Sequence, residues 1–364
     1  MPCAVAARQM RAAYDNIMGS GKTFCTPSWP GSPAALRAST GDLRNDGTSI
    51  RLPTGKFMEA ISLDRFEGCL LGLALGDALG APYEGGPVEL MLWRLIGRTR
   101  QGETRWTDDT QMSLDVAESL AALGGVDADD LALRFARSYQ WSRGYGPGAA
   151  KLLKRIARGA DWRQANRSVY PGGSYGNGGA MRAPVVGLFY ADRFEELAEA
   201  ARLSASVTHA HPLGIEGAVL LATATALAAR ANRPVAILQG AAGQCNLEPF
   251  MARLGIASDW LQSGADPTTG EVRRKLGNGI AASESCVTAL YIALQFLERP
   301  FEEMLRFAAG CGGDVDTIGA MAGAVWGAAN GAAKLPPSRL AKLEQRARLS
   351  SAAAALHERL YRCS

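Results

Sequence analysis

The sequence has few of the residues that zinc sites and disulfide frameworks require. Its 364 residues include only three His, and its seven Cys are scattered without any CxxC spacing. Odd, scattered Cys indicate free thiols in a reducing compartment, so we expect a cytoplasmic protein. The pair His209 and His211 has no Cys or His nearby in sequence that would complete a zinc site. Zinc is therefore disfavoured.

Charge of one sign and long hydrophobic runs are also missing. The 39 Lys and Arg nearly balance the 35 Asp and Glu, and no basic stripe is interleaved with aromatic residues. We therefore expect no nucleic-acid partner. The richest apolar stretch, residues 218–231, is too short for a membrane span and indicates a buried helix, so we expect no membrane partner. The first residues, MPCAVAARQMRAAYD, lack the continuous apolar core of a signal peptide.

Helical periodicity runs through most of the chain, with Gly or Pro at the joints. No train of alternating strands is found, so the sequence does not support a Rossmann unit. The 42 Gly, together with much Ala, indicate closely packed helices and glycine-rich ligand loops. We predict an all-α domain over residues 58–364. Residues 1–57 are rich in turn formers and form a predicted irregular N-terminal extension. This extension is a flexible tail, a misassigned start ahead of Met58, or a docking arm for a partner.

Two acidic blocks, far apart in the sequence, stand out from this helical background. Each places two Asp beside Thr at the start of a predicted helix: Thr107, Asp108, Asp109 and Thr110 in the first, and Asp314, Asp316 and Thr317 in the second. One interpretation is two well-capped helices, because Asp and Thr accept hydrogen bonds from free N–H groups there. The other is a magnesium or manganese site, since these ions prefer oxygen ligands and would neutralise clustered carboxylates.

Two further carboxylates lie near the first predicted helix of the domain. Asp77 shares an apolar face with Phe66, Leu70 and Leu73, so it must be hydrogen-bonded. It is either a buried structural acceptor or a support for metal ligands. Glu84 follows the turn GAPY and is either a surface carboxylate or a gate to a metal site.

Two glycine-rich loops each lead into a predicted helix. They are YPGGSYGNGGAMR at residues 170–182 and LGNGIAASES at residues 276–285. Backbone N–H groups in such loops can approach a diphosphate or a ribose closely. Two Gly-Asn-Gly loops in one chain favour a nucleotide-like ligand more than one loop would. His209 is expected to face this ligand or to make a structural hydrogen bond.

With these motifs in order, the chain resembles the ADP-ribosylglycohydrolases, the family of the dinitrogenase-reductase-activating glycohydrolase. The resemblance runs over about residues 64–331. Five motifs carry it: GCLLGLALGDALGAPYEG (68–85), WTDDTQM (106–112), SYGNGGAMR (174–182), SVTHAHPLG (206–214) and GCGGDVDTIGAMAGA (310–324). The loop LGNGIAASES is also similar to the corresponding loop of serine-ADP-ribose and poly-ADP-ribose hydrolases of this family.

The resemblance implies an all-α fold with two Mg²⁺, or Mn²⁺, at the mouth of an ADP-ribose cleft. The implied metal ligands are Thr107, Asp108, Asp109, Asp314, Asp316 and Thr317. The implied ADP-ribose contacts are Gly146, Gly148, Ser174, Tyr175, Gly176, Asn177, Gly178, Gly179, His209, Asn278, Gly279 and Ile280. Three carboxylates remain candidates for the group that takes the proton of the attacking water: Asp316, Asp109 and Glu84.

The function implied is hydrolytic removal of ADP-ribose from a modified protein. We expect an arginine linkage, with serine-linked ADP-ribose and poly-ADP-ribose as alternatives. Some relatives are bacterial immunity proteins, and the extension over residues 1–57 departs from the family pattern. We therefore expect an antitoxin against an ADP-ribosylating effector, which binds a cognate ADP-ribosyltransferase toxin through the extension. The alternative is a non-catalytic antitoxin that only occludes the transferase.

Overall fold

The computed structural model describes residues 59–83, 93 and 96–362. The predictions for the extension at residues 1–57 and for Glu84 concern residues outside these ranges. Within them the backbone forms sixteen α-helices and four short 3₁₀ turns, with isolated bridges but no strand. The predicted all-α fold is confirmed.

The helices are named in chain order. The first eight are α1 (Leu63–Gly80), α2 (Asp108–Leu123), α3 (Ala128–Ser138), α4 (Pro147–Ile156), α5 (Trp162–Val169), α6 (Ala183–Phe189), α7 (Phe194–Ser206) and α8 (Pro212–Ala229). The others are α9 (Pro234–Ala242), α10 (Glu248–Ser263), α11 (Thr269–Leu276), α12 (Ala282–Gln295), α13 (Phe301–Cys311), α14 (Val315–Asn330), α15 (Pro337–Leu340) and α16 (Arg346–Tyr361).

The closest packing in the fold joins α1 to α14 along a seam of glycines. The facing pairs are Gly68 with Gly327, Gly72 with Gly323, and Gly76 with Gly319. A methyl group on any of these six residues would overlap backbone atoms of the other helix. The order of the pairs shows that the two helices run antiparallel, so the end of α1 lies beside the start of α14. The seam therefore brings Asp77 and the second acidic block to the same end of the helix pair.

The helix α8 forms the centre of the core. It contacts α6, α7, α9, α12 and α14. Among the described residues it is the one helix long and apolar enough to cross a membrane, but 83% of its residues are buried inside the fold. The apolar stretch at residues 218–231 therefore belongs to a buried core helix that ends at Ala229.

Predicted helix boundaries differ from the observed ones where loops approach the site. The apolar positions Leu131, Leu133, Phe135 and Tyr139 predict a helix over residues 129–141. The observed helix α3 stops at Ser138, because Tyr139 leaves the helical conformation and Trp141–Arg143 forms a 3₁₀ turn. The helix that follows the first glycine-rich loop is predicted from Ala180 but starts at Ala183, because Asn177–Gly179 forms another 3₁₀ turn. Both differences leave irregular backbone beside the acidic blocks.

Candidate active site

The first acidic block is held by the carboxylate of Asp77. The side chain of Asp77 is fully buried and accepts the N–H of Thr107 with both oxygens, at 3.0 and 2.9 Å. Its Oδ2 also accepts the N–H of Thr110 at 3.1 Å and the Thr110 hydroxyl at 2.5 Å. Thr107 in turn caps α2 by accepting the N–H of Asp109 at 3.2 Å. Asp77 is therefore a structural acceptor, and what it holds in place is the acidic block itself.

A second anchor reaches the same block from Trp106, the residue before Thr107. Arg143 donates to the Trp106 carbonyl at 2.7 Å and lies over the indole ring, 3.6 Å from the ring centroid. The Arg143 guanidinium also pairs with both carboxylate oxygens of Glu344, at 2.6 and 2.9 Å. The indole N–H of Trp106 donates to the Glu344 carbonyl. A bidentate ion pair of this kind fixes geometry as well as charge.

The second acidic block begins after a glycine turn. The helix α13 ends at Cys311. Gly312 and Gly313 follow with φ angles of +65° and +79°, which residues other than Gly rarely adopt. The N–H of Asp314 then donates to the Asn278 carbonyl at 2.9 Å. Inside the block, the Thr317 N–H donates to Asp316 Oδ1 at 2.7 Å. The start of α14 is thereby fixed against the second glycine-rich loop.

The two acidic blocks meet through Asp109. Burial, followed by the charges of Asp77, Asp108 and Asp314, raises the pKa of Asp109 well above its usual range. A hydrogen bond from the Thr317 side chain opposes this rise. Burial likewise raises the pKa of Asp314. Oδ2 of Asp109 is buried without a hydrogen-bond partner in the described part of the chain. Such a cluster of carboxylates requires protons or a cation to be stable.

The two glycine-rich loops pair with each other along their backbones. The Asn177 N–H donates to the Ile280 carbonyl at 2.9 Å, and the Ala282 N–H donates to the Tyr175 carbonyl at 3.0 Å. The Asn177 side chain donates to Asp314 Oδ2 at 2.5 Å. The loops and the second acidic block therefore form one hydrogen-bonded unit.

His209 lies behind the first glycine loop, and His211 has a different role. A methyl group on Gly178 would overlap the His209 ring, so position 178 must be glycine for the loop to lie this close to the ring. His211 caps α8, because its Nδ1 accepts the Leu213 N–H at 3.2 Å. His209 Nδ1 lies 2.8 Å from the Thr208 hydroxyl, so the two histidines have separate hydrogen-bond partners.

The remaining predicted ligand residues surround the same region. In the loop after α3, Gly144 lies beside Asp108 and Gly146 borders open space, while Gly148, in the first turn of α4, lies beside the Tyr170 hydroxyl. Side chains of Tyr175 and Ile280 are 54% and 67% exposed, on the two paired loops. The predicted positions Ser174, Gly176, Gly179, Asn278 and Gly279 lie on these loops as well. Glu84 is outside the described residues.

Several side chains that shape the site gave no clear signal in the sequence. Arg143 and Glu344 are 201 positions apart, and neither belongs to a recognisable motif. Arg182 and Thr208 lie within motifs but looked like ordinary polar residues. Asn177 is a predicted ligand contact, and nothing in the sequence indicated that its side chain also donates to Asp314.

Comparisons with known proteins agree with this geometry. A model of the ADP-ribosylglycohydrolase family matches residues 58–364. The ADP-ribosylhydrolase ARH3 of Homo sapiens is 36% identical over 324 residues, covering 77% of this chain and 89% of the relative. The ADP-ribosyl-[dinitrogen reductase] glycohydrolase of Rhodospirillum rubrum is 29% identical over 295 residues, covering 78% of this chain and 91% of the relative.

A solved structure points to the same fold. It is described as an ADP-ribosylglycohydrolase-related protein complex and matches with a TM-score of 0.62 at 30% identity. The match covers 82% of this chain and 98% of that one. The chain therefore belongs to the ADP-ribosylglycohydrolase family and is an enzyme of that family.

Proposed function

We propose that this protein is a magnesium-dependent hydrolase that removes ADP-ribose from modified protein side chains. One observation carries the proposal: two acidic blocks from distant parts of the chain meet beside two paired glycine loops. The relatives named above support it, since both of their names refer to hydrolysis of an ADP-ribosyl group. The family is in general metal-dependent.

The chemistry of the donor set fits a hard divalent cation. The residues that meet are carboxylates and hydroxyls, and Asp109 Oδ2 is buried and unpartnered in the described region. Among the described residues, no group of three or more His, Cys, Asp or Glu side chains is arranged to hold a metal ion by itself. Magnesium usually keeps several waters and is bound through one or two carboxylates, so it does not require such a group. We propose that two Mg²⁺, or Mn²⁺, are held by Thr107, Asp108, Asp109, Asp314, Asp316 and Thr317. Bound there, the ions would stabilise negative charge and acidify a water.

The protein must also supply a group that accepts the proton of the attacking water. Asp109 offers its Oδ2, which is buried and accepts no hydrogen bond from the described residues. Asp316 lies in the first turn of α14, where the helix dipole stabilises a carboxylate. Cleavage at an anomeric carbon develops positive charge, which neighbouring carboxylates stabilise. Asp109 and Asp316 are therefore the described candidates, with Glu84 as the third.

The linkage that is cleaved is proposed to be ADP-ribosyl-arginine. The likeness of residues 276–285 to serine-ADP-ribose and poly-ADP-ribose hydrolases keeps those two substrates as alternatives. The test is release of ADP-ribose from arginine-linked, serine-linked and poly-ADP-ribosylated protein, each with magnesium and with a chelator. We expect magnesium-dependent release from the arginine substrate. Release only from the serine substrate would show that the protein cleaves the serine linkage instead of the arginine linkage. No release from any substrate would refute the proposed hydrolase activity.

We further propose that the protein acts as an antitoxin in the cytoplasm. The support is the extension, whose residues 1–55 carry six basic and three acidic side chains. The four described Cys are free thiols, which agrees with a reducing compartment. Binding to an ADP-ribosyltransferase toxin should weaken when residues 1–57 are removed, while ADP-ribose release is retained. Full neutralisation by Asp316→Ala would indicate the non-catalytic alternative, and unchanged toxin affinity without the extension would contradict the docking role.

A further inference from the structure

The side chain of Arg182 is buried behind the first glycine loop. It is fully enclosed and lies over the Phe135 ring. Its guanidinium donates to the Gly178 carbonyl, to the Ser204 carbonyl at 2.8 Å and to Thr208 Oγ1 at 3.0 Å. Burial lowers the pKa of Arg182 to about 9, so the group is still cationic at neutral pH. Because a guanidinium only donates, Thr208 must be the acceptor in their hydrogen bond.

The hydrogen bond from Arg182 determines that the Thr208 hydroxyl must donate its own hydrogen to His209. Thr208 is 2% exposed, and its Oγ1 lies 2.8 Å from His209 Nδ1. One lone pair of Oγ1 is used by Arg182, and within the described residues His209 Nδ1 is the one acceptor in reach of the hydroxyl hydrogen. A protonated Nδ1 would leave that buried hydrogen without an acceptor. The hydroxyl therefore donates to Nδ1, and Nδ1 carries no proton.

The same surroundings keep the ring neutral. Burial, and then the charge of Arg182, lower the pKa of His209 to about 3. A neutral imidazole with a bare Nδ1 must carry its single proton on Nε2.

The protonated edge of the ring faces the first glycine loop. A methyl group on Gly176 would lie 3.4 Å from Nε2, and one on Gly178 would lie 2.8 Å from it. The His209 ring is half-buried, and Nε2 has no hydrogen-bond partner among the residues that the structure describes. An N–H donor is thus aimed at the segment where a nucleotide-like ligand is expected.

We propose that Arg182 and Thr208 are positioning residues that fix His209 as a neutral Nε2–H tautomer, a standing hydrogen-bond donor to an oxygen of the ligand. The oxygen is one of a phosphate or a ribose, and this identity rests on the proposed function. The tautomer does not depend on it. Neither Arg182 nor Thr208 touches the ligand in this arrangement. Their effect on binding passes through the imidazole.

The tautomer is measured by ¹H–¹⁵N correlation through the ring of His209 in the full-length, ligand-free protein. The chain has three His, so replacing His211 and His357 in turn assigns the signals. We expect a bare Nδ1 and a protonated Nε2 in the wild type and in Thr208→Ser, which keeps the hydroxyl. In Thr208→Val the hydroxyl is gone, and we expect the Nδ1–H form to appear. A wild-type ring that is protonated on Nδ1, or on both nitrogens at neutral pH, would overturn the inference.

Affinity for ADP-ribose is measured on the same proteins. Thr208→Val should bind ADP-ribose about tenfold more weakly, the effect of one misdirected hydrogen bond. Thr208→Ser should restore affinity close to that of the wild type. Equal affinity of all three would overturn the role in binding. Absence of ADP-ribose binding by the wild type would instead refute the proposed function, while the spectrum still decides the tautomer. If Thr208→Val does not fold, the wild-type and Thr208→Ser spectra decide it.

Discussion

Replacement of Asp77 by Asn tests whether the acidic block depends on its buried support. The carboxylate accepts the N–H groups of Thr107 and Thr110 and the Thr110 hydroxyl. An amide has the same shape but only one oxygen, and its NH₂ group would face donors. Asp77→Asn therefore keeps the packing of α1, but its NH₂ group, in the place of Oδ1, stands donor to donor against the Thr107 N–H. The remaining oxygen is neutral and must serve the other three hydrogen bonds alone.

The size of the effect follows from two opposing contributions. Each hydrogen bond to a charged group is worth about 1.5–3 kcal/mol. Burial of the carboxylate is itself unfavourable, and this burial raises the pKa of Asp77 to about 6. The net loss of unfolding free energy should therefore be modest, about 1–3 kcal/mol. Magnesium affinity should fall by about 10- to 100-fold, as is typical when a group that orients metal ligands is lost.

Two assays separate these effects. Urea unfolding gives the stability, and the magnesium dependence of ADP-ribose release gives the affinity. Glu216→Gln is a matched control, because Glu216 is a buried carboxylate that accepts the N–H groups of Asn246 and Leu247 at 3.0 and 2.8 Å. The control should lose stability and keep its magnesium dependence. A wild-type magnesium dependence in Asp77→Asn would refute the reasoning.

Three further predictions concern the loop, pH and the metal. Gly178→Ala should weaken ADP-ribose binding about tenfold or more in calorimetry, because its methyl group overlaps His209. Gly172→Ala, with open space around it, should bind normally, and equal affinities would contradict the loop geometry. Burial raises the pKa of Asp115 to about 6, so the folded state binds more protons and this group's contribution to stability falls as pH rises from 4 to 6. Relative to the wild type, Asp115→Asn should therefore gain up to about 3 kcal/mol in urea unfolding between pH 4 and pH 7, and a constant difference would contradict the raised pKa. Chelation of magnesium should remove about 2.7 kcal/mol of stability for each bound ion that was present at a hundredfold excess over its Kd, and should leave Asp316→Ala unchanged in thermal unfolding.

The parts of the fold that were predictable are those that neighbouring residues determine. Helical periodicity and the absence of alternating strands are sufficient for the all-α class. Thr107 was recognisable as a helix cap because its partner, the Asp109 N–H, is two positions away. The glycine content indicated close helix packing, although the sequence could not show that α1 and α14 pair residue by residue.

The supports of the site depend on contacts between distant residues and were not predictable in this way. Asn177 is 137 positions from Asp314, and Arg143 is 201 positions from Glu344. Local motifs identify Asn177 and Asp314 as site residues but not their pairing, and nothing local distinguishes Arg143 or Glu344 from ordinary polar side chains at a surface. Asp77 had two possible roles until the fold showed that its hydrogen-bond partners belong to the acidic block.

The most direct test of the account replaces one carboxylate in each acidic block and measures the same two quantities. Release of ADP-ribose from an arginine-ADP-ribosylated protein and binding of Mn²⁺ are followed for the wild type, Asp109→Asn and Asp316→Asn. The account predicts two bound ions in the wild type, and loss of both metal affinity and magnesium-dependent release in each variant. Undiminished release by either variant, or release that is independent of a divalent ion, would contradict a metal centre shared by the two blocks.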